Sequence, residues 1–172
     1  MAKRVLVPID LALPTPWAAF YGAHLAARLK SSMTLMAVSP ENGDCVQLEP
    51  AQPPLAGLSP AQRLWVDQVV GQCQREGVSI EIFFSCGPFF EEIIKFIRSQ
   101  PAIQFIVLGV PNSMPQKNYQ ALAAALKVLH QEFGEEILLV REKGEITRLA
   151  HPRSLGDQAS RERLAYFVER PH

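Results

Sequence analysis

Short apolar runs alternate with longer stretches of helical period along most of this chain. Arg4-Val5-Leu6-Val7-Pro8-Ile9 is a nearly unbroken apolar run ending at Asp10, the pattern of a strand buried on both faces. Pro14 and Pro16 keep the next few residues irregular, and Thr15-Pro16 has the form of a helix N-cap followed by proline at the first helical position. Trp17, Phe20, Tyr21, His24, Leu25 and Leu29 then share one helical face. A second strand runs from Met33 to Val38. From Ser39 to Ser59 no periodicity survives, and Pro40, Pro50, Pro53 and Pro54 interrupt the stretch, so a long loop is expected.

Ser59-Pro60 opens a second helix, with Val66, Val69, Val70 and Cys73 in one stripe and Gly77 as its stop. Ser79 to Phe84 reads as a third strand and Gly87-Pro88 as a tight turn. Phe90, Ile93, Ile94 and Ile97 form the apolar face of a third helix, which Pro101 ends. Phe105 to Leu108 is a fourth strand closing at Gly109. After an irregular stretch from Val110 to Asn118, Tyr119, Leu122, Leu126, Leu129 and Phe133 define a fourth amphipathic helix. Ile137-Leu138-Leu139-Val140 is a fifth strand. Beyond Arg141 the chain is charged and no further strand-like run is read; Leu164, Phe167 and Val168 would share a face of a short helix over 157–169. Two parts are therefore expected: an α/β domain over 1–141 and a charged tail over 142–172 that packs on the body or on a partner.

Strict alternation of strand and helix implies a five-stranded parallel sheet with helices on both faces, a three-layer α/β/α arrangement with right-handed crossovers. Ligands in such sheets bind outside the carboxyl ends of the strands, where strand order reverses. Asp10, Ser39, Cys86-Gly87 and the 109–112 stretch all lie at that crest.

Composition narrows the function classes. The 172 residues carry 17 basic and 17 acidic side chains, so a nucleic-acid binder relying on a broad cationic face is not expected. No apolar run reaches the roughly 18 residues that a membrane helix needs, and the N-terminus lacks a signal-peptide core. Cys45, Cys73 and Cys86 are odd in number and show no Cys-x-x-Cys spacing, which argues against a disulfide framework and for a reducing cytoplasm. His24, His130, His151 and His172 have no metal-ligand spacing, so no metal site is expected.

The chain resembles the universal stress protein family from about Lys3 to Arg141. The resemblance rests on the opening Arg4 to Asp10, the helix ending Ala23-His24-Leu25-Ala26-Ala27-Arg28-Leu29, and the strand Thr34 to Val38. It continues through Gly87-Pro88-Phe89-Phe90-Glu91-Glu92-Ile93-Ile94, Ile106-Val107-Leu108-Gly109 and Glu136 to Arg141. It implies a Rossmann-like fold of the adenine nucleotide alpha hydrolase type, a role in stress response or signalling, and a homodimer paired through the fifth strand. Ile137, Leu138, Leu139 and Val140 would form that dimer edge, unless the tail covers it and leaves a monomer.

ATP-binding members carry a glycine loop after the fourth strand: Gly, two residues, Gly, nine residues, then Gly with Ser or Thr. Here only Gly109 matches; the later positions fall on Asn112, Leu122 and Ala123, and Pro111 and Pro115 remove two N–H donors. ATP binding of the family's kind is therefore expected to be lost. Asp10 matches the acidic residue beside the nucleoside, and Val38 lies near the residue that contacts adenine, so the resemblance still allows a nucleoside-sized ligand.

Each candidate has a plainer reading beside its functional one. Asp10 is a ligand contact or a turn residue satisfying nearby N–H groups. Gly109 is a ligand-approach glycine or a simple strand end. Asn112 and Ser113 are anion donors or ordinary loop residues. Cys86 is a thiol sensor near a helix N-terminus or an inert cysteine. Phe83, Phe84, Phe89 and Phe90 line a lipid or cofactor pocket or simply fill core. No nucleophile elbow, phosphate loop or dinucleotide fingerprint is present. The expectation is a non-catalytic regulatory module without a resident cofactor, acting through dimerisation and an unidentified protein partner. The alternative is an adenine-nucleotide binder using Asp10, Gly109, Asn112 and Ser113 in a non-standard pose.

Overall fold

The computed structural model describes residues 3–40, 58–100, 102–132 and 136–149. Ten elements follow one another: β1 (Arg4–Asp10), α1 (Pro16–Leu29), β2 (Ser32–Ser39), α2 (Pro60–Glu76), β3 (Ile80–Cys86), α3 (Phe89–Ser99), β4 (Ile103–Val110), α4 (Gln116–Glu132), β5 (Glu136–Arg141) and β6 (Ile146–Leu149). The sheet order is β3-β2-β1-β4-β5-β6. The first five strands are parallel, and β6 is antiparallel to β5. Strand order reverses between β1 and β4, so the crest opens where their carboxyl ends diverge.

The two faces of the sheet bury two separate cores. Val5, Val7, Ile9, Met33, Leu35 and Val107 meet α1 and α2 on one side. Leu6, Met36, Ile106, Leu108, Ile137 and Leu139 meet α3 and α4 on the other. The three-layer architecture is as the alternation implied.

Local signals in α2 act as read. Ser59 Oγ accepts from the Gln62 N–H while the Gln62 side chain accepts from the Ser59 N–H, a reciprocal capping box. Gly77 closes the helix in the left-handed region, at φ 71°. In α1 the aromatic stripe is only half-buried, and the opposite stripe of Ala18, Ala19, Gly22, Ala23 and Ala26 seats on the sheet. Small residues let the helix approach the strands closely, whereas Trp17, Phe20, Tyr21 and Leu25 pack laterally against the same core. His24, read as a partly buried packing residue, is exposed and pairs with Glu76, Nδ1 to Oε1 at 2.8 Å.

Three expectations are corrected here. The stretch after Arg141 contains a strand: Gly144, at φ 89°, turns the chain and β6 pairs back onto β5. Ile137, Leu138, Leu139 and Val140 are consequently not an edge; they lie between β4 and β6. The period rule missed β6 because Ile146-Thr147-Arg148-Leu149 is short and polar-interrupted, with Arg148 paired to Glu136 on β5. Finally, Cys86 is disulfide-bonded, against the expectation of reduced cysteines. Cys45, Phe133, residues 41–57 of the long loop and the helix expected over 157–169 lie outside the described residues.

Gly22 marks the closest seat of α1, because a Cβ there would collide with Val7 Cγ2. Alanine in place of a mid-helix glycine ordinarily stabilises by about 0.5–1 kcal/mol. Here overpacking of about 1–3 kcal/mol outweighs that gain. Gly22→Ala is expected to lower stability in urea titration, with Tm falling roughly 2–4 °C for each kcal/mol lost; an increase in stability would show that the seat relaxes freely.

Candidate functional site

At the crest a cavity of about 320 Å³ lies between the ends of β1 and β4 and the N-terminal turns of α3 and α4. Its wall is mainly apolar, with Pro8, Leu108, Phe89, Phe90, Met114 and Leu122 contributing most of the hydrocarbon. Asp10, Thr15, Lys117 and Asn118 supply the polar groups. Phe89 and Phe90 pack edge to face, with ring centroids 5.1 Å apart, and present a fixed aromatic corner. That volume sits at the small end of the range for ligand pockets, about 300–1,000 Å³.

Asp10 holds a turn at the margin of the cavity. Its Oδ1 accepts the Ala12 N–H at 2.9 Å, and Leu13 N–H donates to the Asp10 carbonyl, so the residue organises the turn after β1. It also lines the cavity. Burial pushes its carboxyl above the usual carboxylate range, and the Ala12 hydrogen bond offsets that in part.

Gly109 also lines the cavity, yet its lack of a side chain is used by the protein itself. A Cβ there would collide with the Thr15 side chain. Thr15 is the N-cap of α1 with Pro16 after it, as read, but it is 5% exposed and makes no side-chain cap hydrogen bond. Its hydroxyl-bearing side chain is spent on packing against β4. The indole N–H of Trp17 donates to the Val140 carbonyl at 2.9 Å, which pins the same end of α1 to β5.

The other expected contacts do not converge on this cavity. Val38 is buried among the α3 and α4 core residues, and its carbonyl accepts the Leu11 N–H at 2.9 Å. Asn112 faces a second, polar hollow of about 240 Å³ with Arg141, Lys143 and Glu145. Ser113 is exposed and lines neither. Leu122, at the position of the family's third glycine, is buried on α4 and occupies the wall. Lys117 and Asn118 went unassigned in the sequence; of the four phenylalanines weighed there as a lipid or cofactor pocket or as core, Phe89 and Phe90 line the cavity. Phe83 and Phe84 do not. Cys86, as a disulfide, has no thiol to titrate. No cluster of metal-ligating side chains occurs among the described residues.

No protein-family model matches the sequence, and no curated protein is significantly similar to it. Solved structures are similar in fold. The universal stress protein UspA from Lactobacillus plantarum is 20% identical at a TM-score of 0.52, over 81% of this chain and 97% of its own length. A universal stress protein family member from Burkholderia pseudomallei is 16% identical at a TM-score of 0.52, over 80% of this chain and 95% of its own. A universal stress protein solved in complex with cAMP is 14% identical at a TM-score of 0.54, over 81% and 98%. The fold is that of the universal stress proteins. Among the described residues no helix is long and apolar enough to cross a membrane.

The Asp10 shift has a pH signature. Because the folded-state pKa is raised, the protonated carboxyl is favoured by folding. Its stabilisation is full below the unfolded-state pKa and disappears as pH rises through the folded-state value. Asp10→Asn keeps an acceptor for Ala12 without the buried charge. Urea unfolding of this variant is expected to show a smaller gain in stability than the parent on lowering pH from neutral toward the ordinary carboxylate range. Parallel profiles would mean that Asp10 is solvated as in water.

Proposed function

We propose that this chain is a divergent universal stress protein, a non-catalytic binding module whose crest cavity takes a compact ring-bearing molecule and does not grip a triphosphate. The observation that supports the reading is what stands at the positions of the family's glycine loop. Thr15 takes the space beside Gly109, Leu122 stands where a third glycine would open α4, and Pro111 offers no N–H. A string of phosphoryl oxygens needs several converging N–H donors, and this wall offers mostly carbon. What remains suits a ring against Phe89 and Phe90, with a hydrogen-bond donor directed at Asp10.

Cyclic AMP, carried by one structural neighbour, has a single negative charge and asks far less of the loop than ATP does. Lys117 at the rim would meet one charge. A nucleoside or cyclic nucleotide is thus the second reading this site supports, and it retains Asp10 and drops Asn112 and Ser113 as phosphate contacts. In either case the reading takes the output to pass to an unidentified protein partner. Neither the fifth-strand dimer nor the reducing compartment is carried into this reading, because β6 covers β5 and Cys86 is disulfide-bonded.

Calorimetric titration with ATP-Mg²⁺, cyclic AMP and adenosine tests the proposal. Adenosine or cyclic AMP is expected to bind at least as tightly as ATP, and Ala121→Trp, which fills the cavity from an exposed wall position, should abolish the heat. Phosphate release from ATP should not exceed that of a protein-free blank. ATP binding tenfold tighter than adenosine would overturn the reading.

A further inference from the structure

The crest cavity holds two side chains of opposite charge that do not meet. Asp10 stands at the end of β1 and Lys117 in the first turn of α4, and both line the same space of about 320 Å³. Among the described residues no ion pair joins them to each other or to any other side chain. Asp10 Oδ1 accepts the Ala12 N–H at 2.9 Å, and Oδ2 has no hydrogen-bond partner there. Asn118, next to Lys117, and Thr15, which is 5% exposed, line the cavity with a side-chain amide and a hydroxyl that are also without hydrogen-bond partners among the described residues. The rest of the wall is mainly hydrocarbon, with the Phe89–Phe90 corner in it.

Charges in such a wall are costly until something answers them. Burial disfavours the ionised carboxyl of Asp10, and a cation beside it reverses that cost. Lys117 is exposed, and the first turn of a helix adds its own preference for negative charge. A ligand with one charge relieves one of these groups only. An amine alone would put a second cation beside Lys117, and a carboxylate alone would put a second anion beside Asp10. Cyclic AMP would answer Lys117 but offers Asp10 a neutral amino group, and a charge-assisted hydrogen bond is about twice as strong as a neutral one.

We propose that the crest cavity takes a compact aromatic zwitterion of the α-amino acid class. Its ammonium donates to Asp10 Oδ2, its carboxylate meets Lys117 and the Asn118 amide, and its ring lies against Phe89 and Phe90. This rests on the reading that the cavity takes a ring-bearing molecule, and it assigns that molecule both of its charges. Opposite charges at the two ends leave the filled cavity neutral, and the Thr15 hydroxyl supplies one more polar group to the same wall.

Calorimetry with L-phenylalanine, phenethylamine and hydrocinnamate separates the contributions, because the three share a ring and differ in which ends are charged. Phenylalanine is expected to bind the parent most tightly. Asp10→Asn should weaken phenylalanine and phenethylamine by roughly tenfold or more, and should not weaken hydrocinnamate. Lys117→Gln should weaken phenylalanine and hydrocinnamate by roughly two- to fivefold, the scale of an exposed ion pair, and should spare phenethylamine. If Asp10→Asn does not fold, the ranking of the three ligands on the parent decides. Phenethylamine or hydrocinnamate binding the parent as tightly as phenylalanine overturns the proposal and leaves the ring reading standing. Heat from adenosine or cyclic AMP with none from phenylalanine does the same. Silence from every one of these ligands overturns both.

Discussion

The close seat of α1 on the sheet is the constraint from which most of the crest follows. A helix faced with Ala18, Ala19, Gly22, Ala23 and Ala26 has almost no side chain to hold it away from β1, and Gly22 rests directly on Val7. That depth of approach carries the start of the helix against β4, where Thr15 fits only because residue 109 is glycine. The Trp17 indole completes the seat by reaching across to the Val140 carbonyl. A bulkier helix face would lift the whole assembly and reopen the space that Thr15 occupies.

What the close seat closes on one side, the opposite layer leaves open. The turn after β3 aims Phe89 and Phe90 at the crest, and α4 brings Leu122 beneath them, so the vacant volume is walled by hydrocarbon. Asp10 stands at its margin as a carboxylate that burial disfavours. A ligand able to donate a hydrogen bond there would recover part of that penalty. The polar hollow by Asn112 is formed by the β5–β6 turn and is a separate depression.

Most of the sheet was legible because parallel strands buried on both faces write themselves as unbroken apolar runs, as Val5 to Ile9 and Ile137 to Val140 do. The capping box at Ser59 and the stop at Gly77 were equally plain, being local signals that tertiary packing had no reason to override. β6 was not legible: four residues with a charge among them carry no period, and its pairing depends on a turn at Gly144 and an ion pair to Glu136. The ends of strands put Asp10 and Gly109 beside the crest cavity, but spacing says nothing about what fills the gap beside a glycine. That Thr15 does so is a property of how far α1 sinks, which no linear pattern records. For the same reason Val38 was placed at the right strand end and yet lies beneath the cavity, in the core.

The antiparallel sixth strand has a consequence for polymerisation. A sheet with two raw margins is a monomer unit for fibrils, since every addition leaves another margin to extend. Here one margin is finished by a strand of four residues, too short to template a neighbour and studded by Arg148. Among the described residues β6 therefore removes one of the two margins from which the sheet could be extended.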